Sequence, residues 1–288
     1  MSTSPNLPEI KQFLIDLARE CGTIIKSKSG KETYSDKLNS VDLVTAIDKA
    51  VESLVSKTIK EKYPEYQFIG EETHVPGVTA LSDVPTFIVD PIDGTTNFIH
   101  NFPYSCISLG FTINKKPTVG VIYNPHLNLM FHAIKGQGAY LNEDKLPSLE
   151  SRPISLQSSI VALESGSDRS GELFDNKMQT FRNLLSKEKG FIHGFRSFGS
   201  AAMNIAHVAT GQLDAYWEGG CHSWDVTAGW VILEEVGGVA VCGNPGEDDI
   251  GVDNRVFLFV RGGVKEEQKK FIQEFWSNCQ GTLKYEGI

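Results

Sequence analysis

The sequence predicts a layered α/β protein in which an α+β half, about residues 1–150, packs on an α/β half, about residues 151–288. The first half opens with two amphipathic helical patterns, and then short apolar runs follow between turn signals, as is typical of antiparallel strands. In the second half strand-like and helix-like segments alternate, which is typical of layered α/β structures. Residues 142–153 have the weakest periodicity and form the expected junction. Because there is no internal repeat or long linker, we expect residues 1–288 to form a single unit.

Two long helices are predicted before the first strand. Apolar side chains recur at helical spacing from Ile10 to Ile25, and again within residues 44–62. Asp48 interrupts the apolar face of the second helix, because positions 44, 48, 51 and 55 lie on one side. A carboxylate among valines needs a polar partner if it is buried. The alternative is an acid at the edge of the apolar stripe.

Strands dominate the rest of the first half. They are predicted at residues 66–70, 86–90, 107–113, 118–123 and 129–134. Turn signals at 114–117 and 124–128 connect the last three as antiparallel hairpins. In the second half the predicted strands are 160–163, 213–216, 239–242 and 256–260, and the helices are 173–187, 200–210, 226–236 and 265–277.

Acidic side chains outnumber basic ones. Asp and Glu total 36 against 27 Lys and Arg, and the resulting net charge of −9 disfavours binding to a nucleic-acid backbone. The same balance suits metal ions and small ligands. We therefore expect a small-molecule partner and no nucleic-acid partner.

Cysteine usage and apolar runs indicate the compartment. The five cysteines are widely spaced and include no C-x-x-C pair, so we expect neither a disulfide framework nor a zinc site. The first residues lack the pattern of a signal peptide, and no apolar run reaches the ~20 residues that cross a bilayer. These features predict a cytoplasmic protein without a membrane partner.

The stretch FIVDPIDGTTNF at residues 87–98 carries the strongest functional signal. Its apolar start predicts a buried strand, which ends where Pro91 removes a ladder hydrogen bond and Gly94 permits a tight turn. Two carboxylates, Asp90 and Asp93, therefore lie on one corner, and two threonines follow. Hard cations prefer clustered carboxylate oxygens, and phosphates prefer the free N–H groups where a turn opens into a helix. The plain structural alternative is an acidic turn at the end of a strand.

Other acids also stand at the ends of predicted elements. Glu71 and Glu218 follow strands, and Asp225 begins a helix. Because ligand sites in open α/β folds gather at strand ends, these acids can meet the 87–98 corner in three dimensions. Phosphate monoesters hydrolyse extremely slowly without a catalyst, so an acidic site that binds paired metal ions would suit their hydrolysis.

Five strings together resemble the inositol monophosphatase family of Mg²⁺-dependent, lithium-sensitive phosphatases. They occur in family order: VDLVTAID (41–48), GEET (70–73), DPIDGTTNF (90–98), GSAA (199–202) and WDVTAGWVILEEVGG (224–238). DPIDGTTNF together with the WDVTAG string is highly specific, whereas GEET or GSAA alone means little. The resemblance implies an αβαβα sandwich that acts as one catalytic unit and hydrolyses myo-inositol monophosphate. It also implies a homodimer.

The resemblance implies a site for two to three Mg²⁺ ions. Glu71, Asp90 and the carbonyl oxygen of Ile92 would bind the first ion. Asp90 would bridge to a second ion that Asp93 and Asp225 also bind, and a weaker third ion would lie near Glu71. Li⁺ would inhibit by occupying one of these positions.

The resemblance also implies roles in catalysis and substrate binding. A water molecule would be the nucleophile, Asp48 and Thr95 would orient it and accept its proton, and Glu71 would complete the catalytic set. The amides of Gly94 and Thr95 would bind phosphate, and Glu218 would accept hydrogen bonds from substrate hydroxyls. The remaining substrate contacts would come from Lys37 at the mouth of the site, Asp93, Ser167, Ser200 and Ala201.

Two segments bear on the substrate end of the site. Where the family usually has Glu, an apolar residue and Gly-Ser, this chain has ESGS at residues 164–167, and the polar contact is assigned to Ser167. Gly219 and Gly220 follow Glu218, and this pair is expected to loosen the sugar end of the pocket.

Three alternatives remain open at the level of sequence. A phospho-aspartate phosphatase of the haloacid dehalogenase class has acids two residues apart, whereas Asp90 and Asp93 are three apart and would not face the same side of a regular strand. A related phosphatase for other polyol, sugar or bisphosphate-nucleotide substrates would share the same acids. A non-catalytic binding relative would be expected to lose a metal-binding acid, and none is missing here.

Overall fold

The computed structural model describes residues 5–31, 34–36, 43–75, 80–246 and 250–285. The helices in this part of the chain are α1 Leu7–Lys28, α2 Ala46–Lys62, α3 Thr95–Ile99, α4 Gly171–Leu185, α5 Ala201–Ala209, α6 Ser223–Glu234 and α7 Lys265–Asn278. The strands are β1 Tyr34–Asp36, β2 Leu43–Thr45, β3 Gln67–Gly70, β4 Thr86–Asp93, β5 Cys106–Ile113, β6 Lys116–Asn124, β7 Leu129–Ile134, β8 Ala139–Leu141, β9 Asp144–Lys145, β10 Ile160–Leu163, β11 Gly194–Arg196, β12 Ala215–Gly219, β13 Val239–Cys242 and β14 Val256–Val260.

Five layers of secondary structure alternate through the molecule. Helices α1 and α2 cover the outer face of a seven-stranded sheet, in which β3 to β9 lie in chain order. Helices α5 and α6 lie between this sheet and a five-stranded sheet of order β11-β10-β12-β14-β13. Helices α4 and α7 cover the far face of the second sheet. This αβαβα arrangement confirms the predicted fold class.

Strand pairing agrees with the predicted hairpins in the first half. Strands β4 to β9 pair antiparallel in sequence, whereas β3 pairs parallel with β4. The second sheet is mixed, since β10 is parallel to β11 and β12, and β14 is antiparallel to β12 and β13. Among the described helices, none combines the length and the apolar character that a bilayer span requires.

Helix α2 begins two residues later than its apolar pattern predicts, because Thr45 caps it. The Thr45 hydroxyl oxygen accepts a hydrogen bond from the backbone N–H of Ile47 at 3.1 Å. Asp48 occupies the third helical position, where its carboxylate accepts a hydrogen bond from the Thr45 backbone N–H at 2.9 Å. This reciprocal pair is a capping box, and it gives the buried Asp48 the partner that its position requires.

Other differences from the predicted bounds come from short or irregular elements. Pro117 lies within β6 rather than in a turn, at a register shift of the β5–β6 pair where a missing N–H is tolerated. Helix α6 begins at Ser223 instead of residue 226, so Asp225 lies in its first turn. Strand β12 runs to Gly219 instead of ending at 216, so Glu218 is a strand residue. The elements absent from the prediction are β1, β2, α3, β8, β9 and β11, which are too short to show a period.

The middle layer packs against β5 and β6 through two glycines. Gly110 and Gly120 face each other across the two strands. A Cβ atom at Gly120 would overlap the carbonyl group of Ala228 in α6, and one at Gly110 would overlap the Thr227 side chain. The close approach of α6 therefore depends on the absence of side chains at these positions, and α6 carries Asp225.

We expect Gly120→Ala to lower the free energy of unfolding by about 1–3 kcal/mol, because the added methyl group overpacks the β6–α6 contact. The displaced helix should also lower the affinity for divalent cations. Urea unfolding and calorimetric Mg²⁺ titration measure the two effects. As a control, Gly194→Ala adds a Cβ whose nearest neighbour is 3.6 Å away, and it should change stability by less than about 0.5 kcal/mol. Equal effects of the two substitutions would contradict the packing argument.

Candidate active site

A register shift at the end of β4 places Asp90 and Asp93 on the same side of the sheet. Asp90 pairs with Ser108 of β5 and Asp93 pairs with Cys106, so three residues of β4 span two residues of β5. The irregularity adds one residue and cancels the odd spacing of the two acids. Both carboxylates therefore face the middle helical layer, which a regular strand would not allow.

Asp225 of α6 completes a cluster of three acids with Asp90 and Asp93. One carboxylate oxygen of each lies within 4.8 Å of the others. The backbone N–H of His222 donates to Asp225 Oδ2 at 2.6 Å and fixes its side chain at the start of the helix. Glu71 lies beside this cluster, because it forms a side-chain hydrogen bond with Asp90 and its negative charge raises the pKa of Asp90.

The cluster concentrates negative charge at a place where two of its three acids, Asp90 and Asp93, are buried. Burial, followed by the charges of Glu71, Asp93 and Asp225, raises the pKa of Asp90 well above its usual value. Burial and the charge of Asp93 likewise raise the pKa of Asp225. A divalent cation fits this donor set, because carboxylate oxygens are its preferred ligands and its charge would relieve the mutual repulsion.

The start of α5 holds Asp93. The hydroxyl of Ser200 and the backbone N–H of Ala202 donate to Oδ2 at 2.7 and 2.6 Å, and the N–H of Ala201 donates to Oδ1 at 3.1 Å. Burial raises the pKa of Asp93 to about 6, while these hydrogen bonds oppose the rise. Ser200 and Ala201 thus position a predicted metal ligand, and both also line the cavity described below.

Asp48 and Thr95 meet beside the β4 corner. The Thr95 hydroxyl lies 3.1 Å from Asp48 Oδ1 and 3.1 Å from the carbonyl oxygen of Ile92. Burial raises the pKa of Asp48, although hydrogen bonds from Thr45 oppose this. The predicted pair is therefore in contact, and it adjoins the predicted carbonyl ligand.

Gly94 separates β4 from α3 in a conformation that favours glycine. Its φ is +90°, and a Cβ atom would lie 3.0 Å from the carbonyl oxygens of both Gly199 and Tyr104. Only a residue without a side chain fits where these backbone segments converge. The turn thereby places α3 and Thr95 directly after the two acids.

A cavity of about 460 Å³ opens over the acid cluster. Asp93 and Asp225 form one part of its wall, and Glu164 and Glu218 form another. The Tyr216 hydroxyl donates to Glu218 Oε2. Burial, then the charge of Glu164, raises the pKa of Glu218 to about 8. The cavity thus combines an acidic wall, whose oxygens suit a divalent cation, with groups that suit substrate hydroxyls.

A model of the inositol monophosphatase family matches residues 6–280. The chain belongs to the inositol monophosphatase family. Inositol monophosphatase 2 of Saccharomyces cerevisiae is 55% identical over 286 residues, which cover 97% of this chain and 98% of the relative. The predicted family assignment is confirmed.

Solved structures of a staphylococcal family member share the fold. The structure of IMPase-II with inositol monophosphate bound is 30% identical, with a TM-score of 0.73, and the match covers 92% of this chain and 94% of that one. The structure with 2′-AMP bound is also 30% identical, with a TM-score of 0.74 and coverage of 93% and 96%.

The predicted substrate residues Lys37 and Ser167 are not among the described residues of the cavity wall. Lys37 lies outside the described residues. Ser167 does not lie on the described cavity wall. The residues of this segment that line the cavity are Ser165, Gly166 and Arg169. Gly166 has a φ of +64°, so the chain turns at this residue. Ser165 and Gly166, which precede Ser167 in the sequence, are the residues that form the wall.

Glu52 is a supporting residue that the sequence did not identify. It is 1% exposed, and its Oε2 accepts a hydrogen bond from the backbone N–H of Glu72 at 2.6 Å. A Cβ atom at Gly70 would lie 2.5 Å from its carboxyl carbon. Glu52 therefore fixes the turn that carries Glu71, and the glycine before Glu71 provides the space.

Glu164 is the second residue that sequence reasoning missed. Its Oε1 accepts hydrogen bonds from the backbone N–H groups of Phe198 and Gly199 at 2.7 and 2.9 Å, and from Asn204 Nδ2 at 3.0 Å. Ser197 donates to Oε2 at 2.6 Å. One carboxylate thus holds the loop before α5, which is the helix that positions Asp93.

We expect Glu164→Ala to lower the free energy of unfolding by about 3 kcal/mol, because several donors lose their acceptor. Glu164→Gln keeps the oxygen that accepts three of the hydrogen bonds, and it should cost less than about 1.5 kcal/mol. Urea unfolding measures both values.

The alanine variant should also raise KM for a phosphate ester, because the cavity wall loses its support. Glu235→Ala is the matched control, since Glu235 accepts hydrogen bonds from the backbone N–H groups of Gly136 and Gly138, at 2.6 Å each, outside the cavity. The control should lose stability with KM unchanged. An unchanged KM in Glu164→Ala would contradict the role of Glu164 in the site.

Proposed function

We propose that this family member is a Mg²⁺-dependent phosphomonoesterase that hydrolyses myo-inositol monophosphate to myo-inositol and phosphate by direct attack of water. The observation that carries the proposal is the three-acid cluster of Asp90, Asp93 and Asp225 beneath a cavity whose other wall bears Glu218. The family and the yeast relative's name support the substrate. The staphylococcal structure with bound inositol monophosphate supports it as well.

The metal ligands in this proposal are Glu71, Asp90, the carbonyl oxygen of Ile92, Asp93 and Asp225. Two to three Mg²⁺ ions, when bound, would neutralise the phosphoryl oxygens and make water a better nucleophile. The protein contributes a rigid donor set, because the β4 register, α5 and α6 each fix one carboxylate. Such rigidity lowers the reorganisation needed during the reaction.

Asp48 and Thr95 would together accept the proton of the attacking water. The Thr95 hydroxyl oxygen can accept that proton while its own hydrogen moves toward Asp48 Oδ1, 3.1 Å away. Burial favours the neutral form of Asp48 and so favours the product of this transfer. A geometry with both groups within hydrogen-bond reach is what general base catalysis requires.

Substrate binding would use both ends of the cavity. The backbone amides of Gly94 and Thr95 would bind phosphate, and Ser200 and Ala201 would border it. Glu218 would bind neighbouring hydroxyls of the ring, either as an acceptor or, when protonated, also as a donor. A polyol with adjacent hydroxyls fits this arrangement better than an aryl group does.

A related substrate is the second candidate. The staphylococcal family member was solved with 2′-AMP, so a family site of this fold binds a nucleoside monophosphate. Other sugar phosphates, polyol phosphates or bisphosphate nucleotides would use the same metal ligands. A non-catalytic binding role is less favoured, because all the acids of the site are present.

Three features of the proposal rest on family resemblance and composition. They are inhibition by Li⁺ at one of the Mg²⁺ positions, a homodimeric assembly and a cytoplasmic location. Each stays a prediction. The acidic net charge and the cavity chemistry favour a small-molecule partner over nucleic acid.

We expect Asp93→Asn to reduce phosphate release from inositol 1-phosphate by at least about 100-fold, because changes to groups that only support metal ligands already cost 10–100-fold. Chelation of divalent cations should abolish turnover of the unmodified protein, and added Mg²⁺ should restore it. Calorimetry should show weaker Mg²⁺ binding by the variant. Glu143→Gln, at an exposed acid, is the control and should behave like the unmodified protein. An active Asp93→Asn variant would refute the metal role of Asp93.

We expect Glu218→Gln to raise KM for inositol 1-phosphate about tenfold, which corresponds to the loss of about 1.4 kcal/mol of binding energy. KM for an aryl phosphate should change less than about twofold, because an aryl group has no hydroxyl for Glu218 to bind. Steady-state phosphate release on the two substrates measures the difference. Equal changes in both KM values would count against recognition of a polyol.

A further inference from the structure

The segment Gly281–Tyr285, here called the C-terminal strap, crosses behind the wall of the cavity that bears Glu218. Its course is fixed by Asn244, whose Oδ1 accepts from the Leu283 N–H at 2.8 Å and whose Nδ2 donates to the Leu283 carbonyl oxygen at 2.7 Å. Leu283 is only 3% exposed and packs in the core between the second sheet and α7. The strap is thus an ordered part of the fold.

The strap lies directly on the two glycines that follow Glu218. A Cβ atom at Gly219 would be 2.7 Å from Leu283 Cδ1 and 2.9 Å from the Tyr285 ring. Gly220 has a φ of +110°, and a Cβ atom there would contact the same ring at 3.5 Å. The glycine pair therefore does not leave the sugar end of the cavity loose, because Tyr285 occupies the space behind it.

The hydroxyl of Tyr285 joins the strap to the neighbouring wall of the cavity. It donates to Asp168 Oδ2 at 2.8 Å, and Lys177 Nζ donates to the same oxygen at 3.0 Å. Lys177 is fully buried and also donates to the carbonyl oxygen of Ser165 at 2.9 Å. Ser165 and Gly166 line the cavity, so one hydroxyl connects the strap to that wall.

The ring of Tyr285 also contacts two cations. Lys177 Nζ lies 5.3 Å from the ring centre on the side of the 165–166 wall. The Arg255 guanidinium lies 5.6 Å from the ring centre, and it donates to the carbonyl oxygens of Cys221 and Gly220 at 2.7 and 2.8 Å. Both contacts are at cation–π distance, and Arg255 holds the backbone that leads from Glu218 to Asp225.

We propose that Tyr285 is a positioning residue that fixes Glu218 and the Ser165–Gly166 wall relative to each other, and thereby sets the preference for a polyol phosphate. This inference rests on the proposed function. Tyr285 itself is not on the described cavity wall, so it acts through the residues that it holds. The proposed metal ligands Asp90 and Asp93 belong to β4 of the other sheet, and the contacts of Tyr285 described above do not include them.

The test compares Tyr285→Phe with Tyr123→Phe. The first substitution keeps the ring and removes the hydrogen bond to Asp168, and the second removes a hydroxyl that bonds Asn128 Oδ1 at 3.2 Å away from the cavity. We expect Tyr285→Phe to raise KM for inositol 1-phosphate about three- to tenfold, the range for one lost hydrogen bond. KM for an aryl phosphate and kcat for both substrates should change less than about twofold, and the control should change none of them.

Asp168→Ala removes the acceptor of the Tyr285 hydroxyl together with that of Lys177, so it should raise KM for inositol 1-phosphate at least as much as Tyr285→Phe. The double variant should be no worse than Asp168→Ala alone, because the Tyr285 hydroxyl then has no acceptor left to lose. A uniform rise of KM for both substrates, or no rise for either, would overturn the positioning role. Fully additive effects of the two substitutions would overturn the connection through Asp168.

A readout without substrate separates this inference from the proposed function. Hydrogen–deuterium exchange of the Tyr285→Phe variant should be faster at residues 165–169 and 218–221, and unchanged at 90–98. Unchanged exchange at both cavity walls would overturn the inference whatever the substrate is. Faster exchange, together with a failure of the unmodified protein to hydrolyse inositol 1-phosphate, would refute the proposed substrate and support the role of Tyr285.

Discussion

The repulsion among the carboxylates of Asp90, Asp93 and Asp225, of which the first two are buried, is the constraint on which the rest of the structure depends. Like charges this close raise one another's pKa values, so the fold must hold them together against an electrostatic cost. Three backbone devices do so: the register shift of β4, the N–H groups at the start of α5 and the first turn of α6. A bound cation would turn this unfavourable arrangement into a favourable one.

The five layers explain why these devices meet at one place. The middle helices α5 and α6 pack on both sheets, and their first turns face the end of β4. A ligand that touches Asp93 and Glu218 therefore contacts the first sheet and the second sheet at once. The glycines of β5 and β6 bring α6 close enough for its first turn to reach the corner. The packing of the core therefore determines the geometry of the site, because any shift of α6 also moves Asp225.

Sequence periodicity predicted the long elements, because amphipathic helices and apolar strands have patterns that extend over many residues. The order of the five layers came from the family resemblance. The motif at 87–98 predicted the acids, but their common orientation could not be derived from spacing. A regular strand would have directed Asp90 and Asp93 to opposite faces, and the register shift that reverses this depends on pairing with Ser108 and Cys106. Pairing with a distant strand leaves no local signal in the sequence.

Glu52, Glu164 and Tyr285 show the same limit for residues that support the site. Each lies far in sequence from the groups that it holds: Glu52 is 20 residues from Glu72, and Tyr285 is 117 residues from Asp168. An isolated Glu or Tyr has no pattern to distinguish it from a surface residue. Gly70, which faces Glu52, and Gly219, which faces Tyr285, are by contrast visible in the sequence as glycines next to a functional acid. A glycine beside a functional acid can thus mark the place where a distant side chain packs closely against the backbone. At Glu71 that side chain is Glu52, and at Glu218 it is Leu283 together with Tyr285, so each of these two acids is supported by a distant segment that packs on a neighbouring glycine.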